Sequence, residues 1–228
     1  KGICEINNIL KSDDVLHTLN AFKAMGVKIE ENNQKIIIFG KGLNSLQKPE
    51  NEIYLGNSGT SARLLTGLLA SQSFDTVLTG DSSLSKRPMG RISEPLSEMN
   101  AKVLTSNGTM PLKIEGKVLN PTKLDLKIPS AQIKSGILLA ALNTKGESFI
   151  TENKVTRDHT ETMLKSFGAD IIIKNIDNKK FIKIVGKKEL TSKNIDVPND
   201  LSSSAFFIVS ALINKKSDLK LQNINNNP

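Results

Sequence analysis

The chain repeats itself, and the repeat restricts its fold more than any other feature. Three segments share one form: Met25-Gly26-Val27-Lys28-Ile29, Met99-Asn100-Ala101-Lys102-Val103 and Phe167-Gly168-Ala169-Asp170-Ile171. Their Gly or Asn anchors lie 74 and then 68 residues apart. Gly or Asn at such a place suits the left-handed residue that ends a helix. Each mark follows an amphipathic stretch, at residues 12–25, 88–99 and 158–167. In the first, Val15, Leu16, Leu19, Phe22 and Met25 fall on one helical face. Each mark also precedes two expected strands joined by a polar turn. These are 28–30 with 35–39 across Asn32-Asn33, 102–104 with 112–115 across Asn107-Gly108, and 171–174 with 181–185 across Asp177-Asn178.

A more apolar helix recurs between the marks, at 58–70, 130–142 and 201–213, and is expected to be buried each time. A short strand should follow each, at 76–78, 148–151 and 219–222. The unit is helix, strand, helix, strand, strand, with a further strand leading in. Such alternation places the chain in the α/β class as an array of one supersecondary unit. Residues 3–9 form a strand without the apolar helix that should precede it, and the last unit stops at Pro228 before its amphipathic helix. Two complete units, the rear of one and the front of another are expected, as in a piece of a longer protein.

With 228 residues and 38% hydrophobic content, the chain can bury a substantial core. No apolar run is long enough to span a membrane, and no signal peptide is recognisable. The single cysteine, Cys4, excludes an intrachain disulfide and a cysteine-rich metal site. These features fit a cytoplasmic protein. The net charge of +8 invites a nucleic-acid partner, but the lysines are dispersed and aromatics make up only 4% of residues. A base-stacking surface is hard to build from that composition. Neither a nucleic acid nor a membrane is therefore expected as partner.

Two segments carry anion-binding groups at expected helix openings. Gly56-Asn-Ser-Gly-Thr-Ser-Ala-Arg63 offers small residues and backbone N–H groups, which suit a phosphate or carboxylate at a helix N-terminus. An ordinary Asn or Ser cap would look similar. Asp81-Ser-Ser-Leu-Ser-Lys-Arg-Pro-Met-Gly-Arg91 puts Lys86 and Arg87 before Pro88, a natural first helical residue. Cations there oppose the helix dipole by roughly a few tenths of a kcal/mol. An anion between charge and helix removes that conflict. Asp158 and Glu161 have the spacing of a helix cap and its reciprocal partner. His17 and His159 read as exposed polar positions.

With Ser130-Ala-Gln-Ile-Lys-Ser135, Thr156-Arg-Asp-His-Thr-Glu161 and Val197-Pro-Asn-Asp-Leu-Ser-Ser-Ser204, these two segments form five motifs in order. Together they resemble the 3-phosphoshikimate 1-carboxyvinyltransferase family over essentially the whole chain. The resemblance implies the enolpyruvyl transferase fold, an inside-out α/β barrel with three such units per domain. Residues 1–196 would be a substrate-binding domain lacking its first helix, and 197–228 the start of a truncated second domain. The implied reaction moves the enolpyruvyl group of phosphoenolpyruvate to the 5-hydroxyl of shikimate 3-phosphate and releases phosphate. It needs no metal or organic cofactor, and the implied full-length enzyme is a monomer.

By the same resemblance, Asn57, Gly59, Thr60, Arg87 and Gln132 match phosphoenolpyruvate-binding positions. Ser130, Ala131, Gln132 and Arg157 match shikimate 3-phosphate positions. No general acid or base can be assigned, because the family's proton-transfer residues map outside this chain. The piece alone is expected to be inactive. The sister transferase acting on UDP-N-acetylglucosamine usually carries a cysteine in the loop equivalent to 81–91, and this loop has none. A basic RNA-end-processing protein with related α/β repeats, or a non-catalytic repeat scaffold, are the readings from other classes. Arg87 and Arg157 are expected to converge on one cleft, with Gly59 and Gln132 between them.

Overall fold

The computed structural model describes residues 1–32, 35–225 and 227. The turn residue Asn33 and the last residue Pro228 lie outside the described residues. In chain order the elements are β1 (Gly2–Asn7), α1 (Asp13–Ala24), β2 (Lys28–Asn32), β3 (Lys35–Gly40), β4 (Ile53–Tyr54) and α2 (Gly59–Ala70). There follow β5 (Thr76–Thr79), a 3-10 turn (Leu84–Lys86), α3 (Gly90–Ser97), β6 (Lys102–Ser106), β7 (Thr109–Glu115) and β8 (Lys123–Leu126). The chain continues through α4 (Ala131–Leu142), β9 (Glu147–Glu152), α5 (His159–Ser166), β10 (Asp170–Ile176), β11 (Lys179–Val185), β12 (Ile195–Asp196) and α6 (Leu201–Ile213). Among the described residues no helix is long and apolar enough to cross a membrane.

The three marks are the same structure three times. Gly26, Asn100 and Gly168 have φ of 81, 65 and 86°. The amide after each reaches back five residues: Val27 to Phe22, Ala101 to Leu96 and Ala169 to Leu164, at 2.9–3.1 Å. The anchor's own amide bonds three residues back, completing a Schellman motif each time. A later segment then donates to the carbonyl just before the anchor: Gln47 to Met25, Asn120 to Met99 and Thr191 to Phe167, each at 2.9 Å. The turns at Asn107-Gly108 and Asp177-Asn178 have positive φ at both residues, as two-residue hairpins require.

The three sheets share one topology. They are ordered β4-β5-β7-β6, β8-β9-β11-β10 and β12-β1-β3-β2. In each, the first pair is parallel and the other two pairs are antiparallel. The third sheet is assembled from both ends of the repeat: Ile6 and Asn7 pair with Ile195 and Asp196. The rear of the first unit and the front of the last thus make one complete sheet. Strands such as β8 and β11 bury alternate residues, so each sheet turns one face to the core.

At the core, α2 and α4 pack in direct backbone contact. A Cβ on Gly67 would lie 1.9 Å from the Gly136 carbonyl oxygen, and one on Gly136 would lie 2.7 Å from the Arg63 carbonyl oxygen. Eight residues of α2 and nine of α4 are buried.

Four expectations are corrected. The helix expected from Pro88 begins at Gly90, and Arg87 has extended backbone (φ −77°, ψ 140°) at the end of the 3-10 turn. A residue before proline is pushed out of the helical region, so the supposed conflict between Arg87 and a helix dipole does not arise. Asp158 makes no side-chain cap to α5; it accepts from Asn227 Nδ2, while Glu161 is buried against Lys134. The strand expected at 219–222 is absent, leaving a single bridge between Asn199 and Ile224. Its repeat partner would be β12, which is two residues long and already paired with β1. Finally, α6 buries no residue: Phe206 is 82% and Leu212 79% exposed. Among the described residues it has no counterpart to the α2–α4 clasp.

Candidate anion-binding site

The site grows from the N-termini of α2 and α4. Thr60 meets Gln132 near the start of both helices, and Gly67 meets Gly136 further along. The helices are therefore parallel, and their N-termini lie side by side with like dipole ends together. Ser58 caps α2 by accepting from the Ser61 amide at 3.3 Å, and Ser130 caps α4 by accepting from the Ile133 amide at 3.5 Å. Ser58 is fully engaged as a cap. Its hydroxyl also lies 2.7 Å from that of Ser61, which lies 2.6 Å from Thr18 Oγ1.

Gly59 begins α2 beneath two guanidinium groups. A Cβ there would lie 2.8 Å from Arg87 Nη1 and 2.9 Å from Arg63 Nη1. Arg63 Nη1 donates to the Gly59 carbonyl at 3.1 Å and to Gln132 Oε1 at 2.8 Å. Arg63 Nη2 donates to the Pro88 carbonyl at 3.4 Å. Gln132 Nε2 donates to Thr60 Oγ1 at 2.7 Å, and Arg87 Nη2 donates to Asn57 Oδ1. Asn57, Gly59, Thr60, Arg87 and Gln132 are thus drawn into one cluster, with Arg63 at its centre.

Sequence reasoning did not single out Arg63 as a site residue. A usable signal was present: the chain has only four arginines, Arg63, Arg87, Arg91 and Arg157, and all four lie in the quoted motifs. Among the described residues, none of the four pairs with a carboxylate; the recorded ion pairs all use lysine. Burial first, then repulsion from Arg87 and Arg91, lowers the Arg63 guanidinium below its ordinary pKa. Cations gathered without counter-charges favour an arriving anion through charge-assisted hydrogen bonds.

The second cluster adjoins the first. Ser130, Ala131, Gln132 and Arg157, with Pro129 and Thr156, line an open depression of about 440 Å³. Gln132 belongs to both clusters, so the two groups named from the sequence meet at its side chain. Two somewhat larger cavities lie elsewhere, against the β5–β7 sheet and between α3 and β8. Lys86 and Arg91 are exposed. His159 is exposed, with Nε2 2.8 Å from Asn225 Nδ2. His17, expected to be exposed, is half-buried; its ring stands edge-on to Tyr54 and close over Gly56.

The family model for EPSP synthase (3-phosphoshikimate 1-carboxyvinyltransferase) matches residues 1–228. A 3-phosphoshikimate 1-carboxyvinyltransferase of Ruthia magnifica subsp. Calyptogena magnifica is 50% identical over the whole chain, and one of Streptococcus agalactiae is 46% identical over 98% of it. The chain spans about half the length of these curated relatives, 52% in each case. An EPSP synthase structure from Acinetobacter baumannii superposes on the whole chain and on 52% of its own, with a TM-score of 0.89 at 47% identity. The fold is that of the enolpyruvyl transferases. On the repeat, the five motifs and these matches, the chain belongs to the EPSP synthase (3-phosphoshikimate 1-carboxyvinyltransferase) family.

Proposed function

We propose that this chain supplies one substrate-binding wall of a 3-phosphoshikimate 1-carboxyvinyltransferase. The enzyme would join the enolpyruvyl group of phosphoenolpyruvate to the 5-hydroxyl of shikimate 3-phosphate and release phosphate. Asn57, Gly59, Thr60, Arg87 and Gln132 hold phosphoenolpyruvate, and Ser130, Ala131, Gln132 and Arg157 hold shikimate 3-phosphate. The carrying observation is the position of Gln132, which hydrogen-bonds into the arginine cluster and also lines the Arg157 depression. A side chain shared in this way suits two anions that must touch in order to react.

Both substrates are multiply charged, and bringing them together costs Coulomb repulsion. Fixed guanidinium groups and two parallel helix N-termini offset that cost without reorganising during the reaction. Proton transfer is not assigned to any residue of this chain. Residues 1–196 act as the substrate-binding domain and residues from 197 begin the second. The assembled enzyme works in the cytoplasm as a monomer.

The test is a titration of the 228-residue chain with shikimate 3-phosphate, followed by backbone amide shifts. Shifts should concentrate at Ser130, Gln132 and Arg157. Arg157→Ala should weaken binding by about thirtyfold or more, the scale of removing one partner of a charged hydrogen bond. A saturating titration that leaves those amides unmoved rejects the assignment. Phosphate release from the two substrates by this chain alone should be absent.

A further inference from the structure

Among the described residues Lys134 is the largest fully buried side chain, with 0% exposure. A lysine so placed needs partners, because an unpaired ammonium in the interior is very costly. Its Nζ donates to Glu152 Oε2 at 2.8 Å and to the Arg157 carbonyl at 3.0 Å, and lies 2.7 Å from Glu161 Oε1. Neither Glu161 oxygen receives an aligned hydrogen bond among the described residues, so that tie is ionic. Lys180, from the buried face of β11, lies 3.6 Å from Glu161 and balances the second carboxylate. On the other side, Thr156 Oγ1 donates to Glu152 Oε1.

These bonds join parts that the proposed site needs in register. Lys134 sits one turn into α4, the helix that carries Ser130 and Gln132. Glu152 ends β9, and Glu161 is in the first turn of α5. Between them runs the exposed connection that holds Thr156 and Arg157. One ammonium therefore grips both ends of that connection and one carbonyl inside it.

We propose that Lys134 is a positioning residue for Arg157: it docks residues 153–158 against α4, so that Arg157 and the Ser130–Gln132 turn present one site to the phosphate of a phosphorylated hydroxy acid. This rests on the reading of that depression as the shikimate 3-phosphate site. Bulk stability alone is a weak account of the arrangement. A buried ion pair gives little net stability compared with an apolar core of similar volume, whereas an ammonium bonded to a loop carbonyl fixes a geometry.

The experiment uses the 228-residue chain and a charge-balanced variant, Lys134→Met/Glu152→Gln. That variant keeps the Glu161–Lys180 pair and an acceptor for Thr156, and loses the bond to the Arg157 carbonyl. Lys134→Met alone is made in parallel, and the double variant carries the result where the single one does not fold. Without ligand, amide exchange at residues 153–158 should accelerate while α4 stays protected. With shikimate 3-phosphate, affinity should fall about tenfold, the scale of one lost hydrogen bond in the docking. The Ser130 and Gln132 amides should still respond, and those of Thr156 and Arg157 should not. A merely structural lysine would reduce both sets together and lower α4 protection, and that outcome overturns the proposal. An unsubstituted chain that responds normally, with a double variant that responds identically, overturns this inference alone. An unsubstituted chain with no response overturns the substrate reading and this inference with it.

Discussion

Helices α4 and α6 look alike as strings of residues, and within these 228 residues they behave oppositely. Both open on a polar cap and run through Ile, Leu, Val, Ala or Phe. Nine residues of α4 are buried, including a lysine; α6 buries none, although it carries two phenylalanines. Apolar composition makes a helix available for burial, and a partner decides whether burial happens. For α4 the partner is α2, brought within backbone contact at Gly67 and Gly136.

Substitutions in the two helices, and in the α2 face that covers α4, should separate them by size of effect. The largest should come from Lys134→Met, which strands Glu152 in the interior and leaves Glu161 with Lys180 alone. Urea unfolding should show a loss of about 3–5 kcal/mol, the scale for breaking a buried pair from one side. Gly67→Ala should cost roughly 3 kcal/mol, because the added carbon meets a backbone oxygen and the helices must part. A stability change below the noise there would mean that the clasp is not close-packed. Leu138→Ala in α4 should cost roughly 2–3 kcal/mol through the cavity left behind. Leu212→Ala in α6 should stay within about 0.5 kcal/mol, as for an exposed surface position. Equal effects for the two leucines would remove the contrast altogether.

The smallest effect concerns the start of α6. Asp200 accepts from the Ser202 and Ser203 amides and from the Ser203 hydroxyl. The Ser203 hydroxyl first, and the backbone amides after it, hold its carboxyl below the ordinary value. The contribution is thus present above the unfolded pKa and is lost as pH falls through the lower folded one. Helicity of residues 201–204, read from 13Cα shifts, should decline on acidification in that window. In Asp200→Asn the decline should vanish.

What could be read in advance was local. Left-handed anchors, paired turns and caps depend on a few adjacent residues, so Gly26, Asn100, Gly168, Asn107-Gly108 and Ser130 were all identifiable. The α/β repeat followed from hydrophobic period and spacing. Partnership across the chain was not readable. Glu161 has capping-box spacing, yet it lies buried 2.7 Å from Lys134, a residue 27 positions earlier. Arg63 sits in the fifth helical position of α2 and closes the 56–63 motif; its approach to Gln132, 69 residues later, shows it at the centre of the cluster. Likewise, nothing near Ile195 announces a strand that pairs with β1.

That last pairing bears on the order in which the molecule can be made. The contacts between β1 and β12 join residues 189 positions apart, among the most distant pairs in the fold. During synthesis, β1, β2 and β3 can form a small sheet early, while the place of β12 stays empty. At ribosomal speeds the wait from Gly40 to Ile195 is on the order of ten seconds or more. Over that interval β1 presents an unpaired edge, the kind of surface that recruits wrong partners. Its own residues, Gly-Ile-Cys-Glu-Ile-Asn, carry a single charge, Glu5, which pairs with Lys35 of the neighbouring β3. The β1 edge is therefore the last in its sheet to close, and stays open to wrong partners until the residues between Gly40 and Ile195 have been made.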